Sequence, residues 1–212
     1  DPARAKNENL EDWIMKKLLT AAAVGLTLAA APAPEPWNVD PSHTAVTFSV
    51  NHFFTPVNGQ FDDYEIDVQY DEENPANSSV EARIAVASVN TNNDRRDEHL
   101  RSGDFFEADA HPWITFKSTS VRSTGEGNFV ATGDLTIKGV THQVDLAVEL
   151  LGIQEIPGEM QAMLGGSKRV ASFQAATTVD RRDFGVGVGD WAATLVVGGD
   201  VDIAIALEAN QK

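Results

Sequence analysis

The sequence predicts an all-β fold, a single antiparallel barrel or sandwich, from three observations. Apolar and polar residues alternate with period two along almost the whole chain after Trp37, which is the pattern of strands that have one dry face and one wet face. Few segments carry the helical period instead. The chain has 212 residues, 42% of them hydrophobic, and this suits one all-β domain with a sizeable core.

The strands are predicted from this alternation, and their ends from glycine, proline and asparagine turns. In the clearest strand, 44–52, the side chains of Val46, Phe48 and Val50 share one face. A proline and an Asn-Gly pair predict a turn region at 53–59. The predicted strands are 37–40, 44–52, 60–71, 80–89, 113–121, 128–138, 142–151, 168–179 and 195–209.

One long stretch, 90–110, breaks the strand rhythm. Within it the sequence predicts a short helix at residues 93–100, with Asn92 or Asn93 as the N-terminal cap. The other irregular segments are a loop at 152–166 and a glycine-rich connection at 181–193.

The N-terminal part predicts export. Met15-Lys16-Lys17 is a short basic start, and the apolar, alanine-rich run 18–30 follows it without a charge. This combination is typical of a secretory signal peptide, and the run is too short for a stable membrane span of about 20 residues. The predicted organisation is an upstream segment 1–14, a signal peptide 15–31, a leader 32–36 and one barrel domain 37–210.

Charge and composition exclude several functions. The formal net charge is −16, which argues against nucleic-acid binding, since that needs a basic face. The same charge argues against docking on anionic lipids through a basic patch. The chain has no cysteine, so disulfides, thiolate metal sites and cysteine nucleophiles are excluded.

The sequence offers little for catalysis. No pair among the five histidines has the spacing of two metal ligands on one helix face, and no Gly-x-Ser-x-Gly motif occurs. The run Asp97-Glu98-His99 comes closest to a metal-ligand cluster. The sequence therefore predicts no catalytic residue and no metal, with a metal-assisted enzyme acting on a lipid or stress metabolite as the alternative.

The phenylalanines suggest a more specific function. Ten of them are spread over many predicted strands and the long loop. They either fill an ordinary core or line an apolar tunnel for a long hydrocarbon. Small residues at Ala82, Ala131, Gly133 and Ala175 would leave room for such a tunnel.

Several ordered motifs run along the chain. They are 37–52, 88–92, 96–100, 104–106, 112–118, 133–141 and 180–185. In these motifs the sequence resembles the YceI-like family, the polyisoprenoid-binding, lipocalin-like barrel proteins of the bacterial periplasm. The resemblance spans residues 37–209, and Met160 to Ser167 departs from it as a longer and more glycine-rich connection.

The resemblance implies a lipocalin-like barrel of roughly eight strands that holds a long isoprenoid, of polyprenyl or quinone type, in a hydrophobic bore. It implies non-catalytic carriage or storage in the periplasm, a homodimer, and no cofactor besides the bound lipid. Arg96, Asp97 and His99 are then expected to order the long loop or to meet the lipid head group. A filled barrel that acts as an interaction module is the remaining alternative. The residues expected to line the bore are Phe48, Val50, Phe61, Phe105, Phe106, Phe116, Leu135, Ile137 and Phe173.

Overall fold

The computed structural model describes residues 36–193 and 195–212. The predicted segments 1–14 and 15–31, and most of the leader, lie outside the described residues. Within the described part of the chain there are eleven strands and two α-helices. They are β1 Pro36–Val39, β2 Ala45–His52, β3 Thr55–Phe61, β4 Tyr64–Gln69, β5 Ser79–Ala85, β6 Val89–Asn90, α1 Asp94–Arg101, β7 Trp113–Gly125, β8 Asn128–Ile137, β9 Val140–Glu155, α2 Gly158–Gln161, β10 Arg169–Asp180 and β11 Val197–Gln211.

Eight of the strands close into an antiparallel barrel. Their order around the ring is β1-β4-β5-β7-β8-β9-β10-β11, and β1 completes it because it pairs with both β4 and β11. Trp37 lies opposite Val68 on one side, and Asn38 lies opposite Asn210 on the other. Strands β2, β3 and β6 extend the sheet from β11. The predicted barrel is confirmed.

The barrel has two distinguishable ends, set by the register of β11. At one end of this strand His52 pairs with Val197, and at the other end Arg169 pairs with Gln211. The first end also carries α1 and the connection from β10 to β11, and we name it the α1 end. The second carries the start of β1 and the β9–β10 connection, and we name it the Trp37 end.

The turn region predicted at 53–59 is wrong from its third residue onward. Only Phe53 and Phe54 form the turn, and β3 begins at Thr55. Gly59 lies within β3 opposite Phe48, and the position needs glycine because a Cβ there would collide with the phenylalanine ring. A residue that the sequence suggests as a turn signal is therefore a packing site. The long strand predicted at 60–71 is also interrupted, between β3 and β4.

The predicted helix is confirmed as α1. Asn93 caps it, and its Oδ1 accepts a hydrogen bond of 3.0 Å from the backbone N–H of Arg96. Asp94 in the first turn and Arg101 in the last turn complement the helix dipole. In the part of the chain that the structure describes, no helix has the length and apolar character needed to cross a membrane.

Candidate functional site

A cavity of about 250 Å³ lies inside the barrel. Side chains from all barrel strands except β1 line it, together with side chains from β2, β3, α1, the loop after α1 and the connection from β10 to β11. Nearly all are apolar, as the inward face of the strand alternation requires. Among the described residues that line the cavity, Arg181 is the one with a formal charge. The cavity argues against the alternative of a filled barrel.

The structure brings the predicted bore residues together. Phe48 and Phe61 have ring centroids 5.6 Å apart, and Phe106 lies 6.1 Å from Phe61. Contact of these side chains with a lipid stays a prediction. All nine residues line the cavity: Phe48, Val50, Phe61, Phe105, Phe106, Phe116, Leu135, Ile137 and Phe173.

Small residues explain part of the free space. Ala82, Ala131 and Ala175 line the cavity, as expected. Gly133 has a different role, because a Cβ at this position would lie 2.5 Å from Cζ of Phe116. The room at Gly133 is therefore taken by the Phe116 ring and is not left to a ligand.

Aromatic side chains converge at the Trp37 end of the cavity. The Tyr70 ring lies 5.3 Å from Phe173, 5.9 Å from Phe129 and 6.4 Å from Trp37. Burial raises the pKa of the Tyr70 phenol, so the hydroxyl stays neutral. Next to this cluster, the exposed residues Gln69 and Ser79 also line the cavity, so the cavity reaches the surface beside the β4–β5 connection.

Arg181 closes the α1 end of the cavity. Its side chain is buried, and burial lowers its pKa. A guanidinium has five N–H donors, and all of them bond to backbone carbonyls, three in the connection from β10 to β11 and two at the start of β11. Nε donates to Gly198 at 2.8 Å, one terminal nitrogen to Val186 at 2.9 Å and to Gly187, and the other to Trp191 at 2.8 Å and Val197 at 3.1 Å.

The sequence did not reveal this role of Arg181. The motif 180–185 was visible, and so was the glycine-rich connection that follows it. A buried arginine can be satisfied by backbone carbonyls alone, and carbonyls leave no pattern in a sequence. The proximity of an arginine motif to a glycine-rich loop was the one available signal.

Two of the three predicted loop residues anchor α1 to the chain before it. Asp97 is buried and accepts hydrogen bonds from the backbone N–H of Thr91 at 2.9 Å and from its hydroxyl. Arg96 donates from Nε to the Thr91 hydroxyl at 2.7 Å and to the Thr91 carbonyl at 2.8 Å. Neither side chain lines the cavity. This geometry supports the loop-ordering role, and contact with a head group stays a prediction.

The third loop residue, His99, packs on the outside of the cavity wall. Its ring lies 5.0 Å from both Phe105 and Trp191, in edge-on contacts. Its Nε2 lies 2.9 Å from Oδ2 of Asp104. Because Asp97 and His99 are each bonded to different groups, the structure does not bring them together as a metal site.

A cluster that the sequence did not single out lies at the surface. Asp40, His43 and Glu208 each place one possible metal-ligand atom within 4.8 Å of the others. The His43 Nδ1 lies 3.0 Å from Asp40 Oδ2 and 3.6 Å from Glu208 Oε1. The hydrogen bond to Asp40 raises the pKa of His43, and it lowers the pKa of Asp40. The cluster is outside the cavity.

Replacing Asp97 tests the anchoring role. Asp97→Ala is expected to lower the free energy of unfolding by about 1–3 kcal/mol, because the buried Thr91 groups lose their acceptor. Urea denaturation measures this, and Glu98→Ala, at an exposed neighbouring position, is the control. Lipid binding is expected to be unchanged. A loss of lipid binding in a variant of normal stability would instead place Asp97 at the head group.

The fold and cavity define a class of protein: a small β-barrel whose interior holds an apolar cavity. The sequence model of the YceI-like domain family matches residues 37–209, and the chain belongs to this family. A UPF0312 protein from Shewanella sp. strain ANA-3 is 37% identical over 177 residues, covering 81% of this chain and 88% of that protein.

Solved structures share the fold. BcnA from Burkholderia cenocepacia is 26% identical with a TM-score of 0.72, over 81% of this chain and 99% of that chain. A polyisoprenoid binding domain from Saccharophagus degradans, implicated in plant cell wall breakdown, has a TM-score of 0.57 over 83% of this chain and 98% of its own. At 13% identity, the second likeness concerns the fold alone.

Proposed function

We propose that this protein binds a long-chain isoprenoid lipid inside its barrel and carries or stores it without chemical change. One observation carries the proposal: a cavity lined almost wholly by apolar side chains of the barrel strands. Burial of each methylene is worth about 0.8 kcal/mol, so a dry lining is enough to hold the part of a tail that the cavity encloses. The choice of an isoprenoid as the ligand rests on the resemblance to the YceI-like family, to which the chain belongs.

The distribution of charge favours a ligand whose buried part is neutral. Arg181 has all five donors engaged by carbonyls, so it offers no hydrogen bond to a phosphate. Where the cavity reaches the surface, three consecutive carboxylates follow Tyr70, at 71–73. Arg169 pairs with Glu72, and the other two carboxylates would repel an anionic head group. A quinone-type or polyprenol ligand therefore suits the barrel better than a polyprenyl phosphate.

The compartment and the assembly are part of the same proposal. Export to the periplasm rests on the predicted signal peptide 15–31, and the homodimer rests on the family resemblance. A carrier has an evident use in this compartment, since an isoprenoid tail cannot cross an aqueous space unprotected. Light scattering on the purified protein measures the mass and so tests the homodimer.

Extraction of the protein with organic solvent tests the function. We expect mass spectrometry of the extract to find a long-chain isoprenoid with an uncharged head group, in stoichiometric amount. The protein is purified without detergent, and an unrelated exported protein from the same cells is the control. Absence of any long-chain lipid under these conditions would contradict the proposal.

Two ligands of equal tail length test the preference for a neutral head group. A polyprenol is expected to bind at least about tenfold more tightly than the matching polyprenyl phosphate, because burying an unpaired charge is unfavourable. Competition for a bound fluorescent lipid measures both affinities. Equal affinities would show that the head group stays in water whatever its charge, and the preference would then be wrong.

A further inference from the structure

Two uncharged segments meet at the α1 end. Residues 41–61 contain no Asp, Glu, Lys or Arg, and neither do residues 195–199, although 23% of the chain is charged. The structure joins these segments, because the backbone N–H of Phe53 donates to the carbonyl of Val196 at 2.8 Å. Neither segment adds a charged side chain to this end of a protein of net charge −16, and the nearest charges at Gly199 are those of the Asp180–Arg182 ion pair.

Three large apolar side chains project from these two segments, and we name them the apolar tip: Phe53, Phe54 and Leu195. Phe54 is 95% exposed, Leu195 76% and Phe53 50%. Phe53 also has a φ of +54°, in the left-handed region that bulky residues rarely adopt. Strained backbone of this kind concentrates at functional positions. Water-exposed aromatic side chains on a hairpin turn are typical of an interaction surface.

The apolar tip adjoins the wall of the cavity. Val50 and Val197 both line the cavity. Val50 comes three residues before Phe53 on β2, and Val197 comes two residues after Leu195 at the start of β11. Arg181 holds the carbonyl of Val197 at 3.1 Å, so the tip is fixed to the closed end of the chamber.

We propose that the apolar tip inserts into the surface of a lipid bilayer. The inference rests on the proposed function, since a carrier of a lipid that resides in a bilayer has to meet one. Aromatic and leucine side chains favour the boundary between head groups and acyl chains. An uncharged tip lets a strongly acidic protein approach this boundary, and the partner it fits is a zwitterionic surface and not an anionic one.

Flotation with phosphatidylcholine vesicles tests the proposal. The double variant Phe54→Ser with Leu195→Ser is expected to bind at least about tenfold more weakly than the wild-type protein, because two apolar side chains no longer leave water. The matched control is Met163→Ser with Leu164→Ser, whose side chains are 73% and 41% exposed. These lie beyond α2 at the opposite end of the barrel, and we expect them to leave vesicle binding unchanged. All three proteins keep the same N-terminal segment, so its contribution cancels.

The dependence of vesicle binding on anionic lipid is a second measurement in the same flotation experiment. Adding phosphatidylglycerol is expected to weaken binding at low salt, and added salt is expected to restore it. Tighter binding to anionic vesicles would overturn the proposal. Equal binding by the double variant and the wild-type protein would overturn it as well.

Loading with farnesol, a short isoprenoid alcohol delivered without vesicles, separates this proposal from the proposed function. The double variant is expected to bind farnesol as the wild-type protein does. A wild-type protein that binds farnesol but no vesicles would refute the docking proposal and leave the function intact. A wild-type protein that docks but binds no isoprenoid would refute the function alone. A further outcome is that the wild-type protein is a dimer and the double variant a monomer, with neither binding vesicles. That result would make the apolar tip a subunit contact and would refute docking.

Discussion

Arg181→Met is expected to lower the free energy of unfolding by about 3–5 kcal/mol. Five carbonyls, three in the β10–β11 connection and two at the start of β11, lose their donor. The buried ones, of Val186 and Gly187, cannot recover hydrogen bonds from water. Methionine replaces much of the apolar stem, so the loss reports on the guanidinium and not on packing. Urea denaturation followed by tryptophan fluorescence measures the change, and Trp191 on this connection provides a local probe.

Two further variants make the Arg181 prediction specific. Arg181→Lys retains the charge but has only three donors, so at least two carbonyls stay unpaired. We expect its loss of stability to lie between those of the wild-type protein and Arg181→Met. Arg182→Met removes the neighbouring arginine, whose exposed side chain pairs with Asp180. It is expected to lower stability by less than about 1 kcal/mol. If Arg181→Met and Arg182→Met were equally mild, the connection would not depend on Arg181.

Ala175→Phe is expected to reduce isoprenoid affinity by at least tenfold, roughly, because the added ring takes cavity space that several methylenes would fill. Ala175 lines the cavity from the middle of β10. Since the ring enters vacant volume, the free energy of unfolding is expected to change by less than about 1.5 kcal/mol. Titration with a fluorescent prenyl probe and the amount of lipid that copurifies both measure the effect.

The adjacent residue provides the matched control for Ala175→Phe. Ala176 is exposed on the outer face of β10, so Ala176→Phe adds the same ring to the same strand outside the cavity. Its isoprenoid affinity is expected to equal that of the wild-type protein. Retained binding in Ala175→Phe would mean that the lipid does not occupy the barrel interior.

Much of the fold was predictable because the alternation of side chains directly encodes a barrel wall. Val46 and Phe48 on β2 face inward and their polar neighbours do not, and this pattern places most strands within a few residues. The α1 cap was predictable as well, since Asn93 acts through its own side chain on a backbone N–H three residues away. Effects that operate within a few residues of sequence leave a readable signal.

The rest depended on contacts between residues far apart in the sequence. Gly59 suggests a turn in isolation, and only its distant neighbour Phe48 makes it part of a strand. The bore residues could be proposed from the alternation and the family resemblance, but Gly133 shows that a small residue can serve a ring nearby instead of a ligand. Arg181 was missed because its partners are backbone groups, and the apolar tip was missed because Phe53 and Leu195 meet only after β2 pairs with β11.

Closure of the ring by β1 has a consequence for folding. Strands β7 to β11 pair with sequence neighbours, so each hairpin can form locally, whereas Asn38 must find Asn210 across nearly the whole domain. Loop-closure entropy makes such distant pairings slow. We therefore expect the pairing of the first and final strands to be the last step of folding, and until then the apolar interior faces water. A newly made chain would need a ligand, or a chaperone, during that interval more than at any later time.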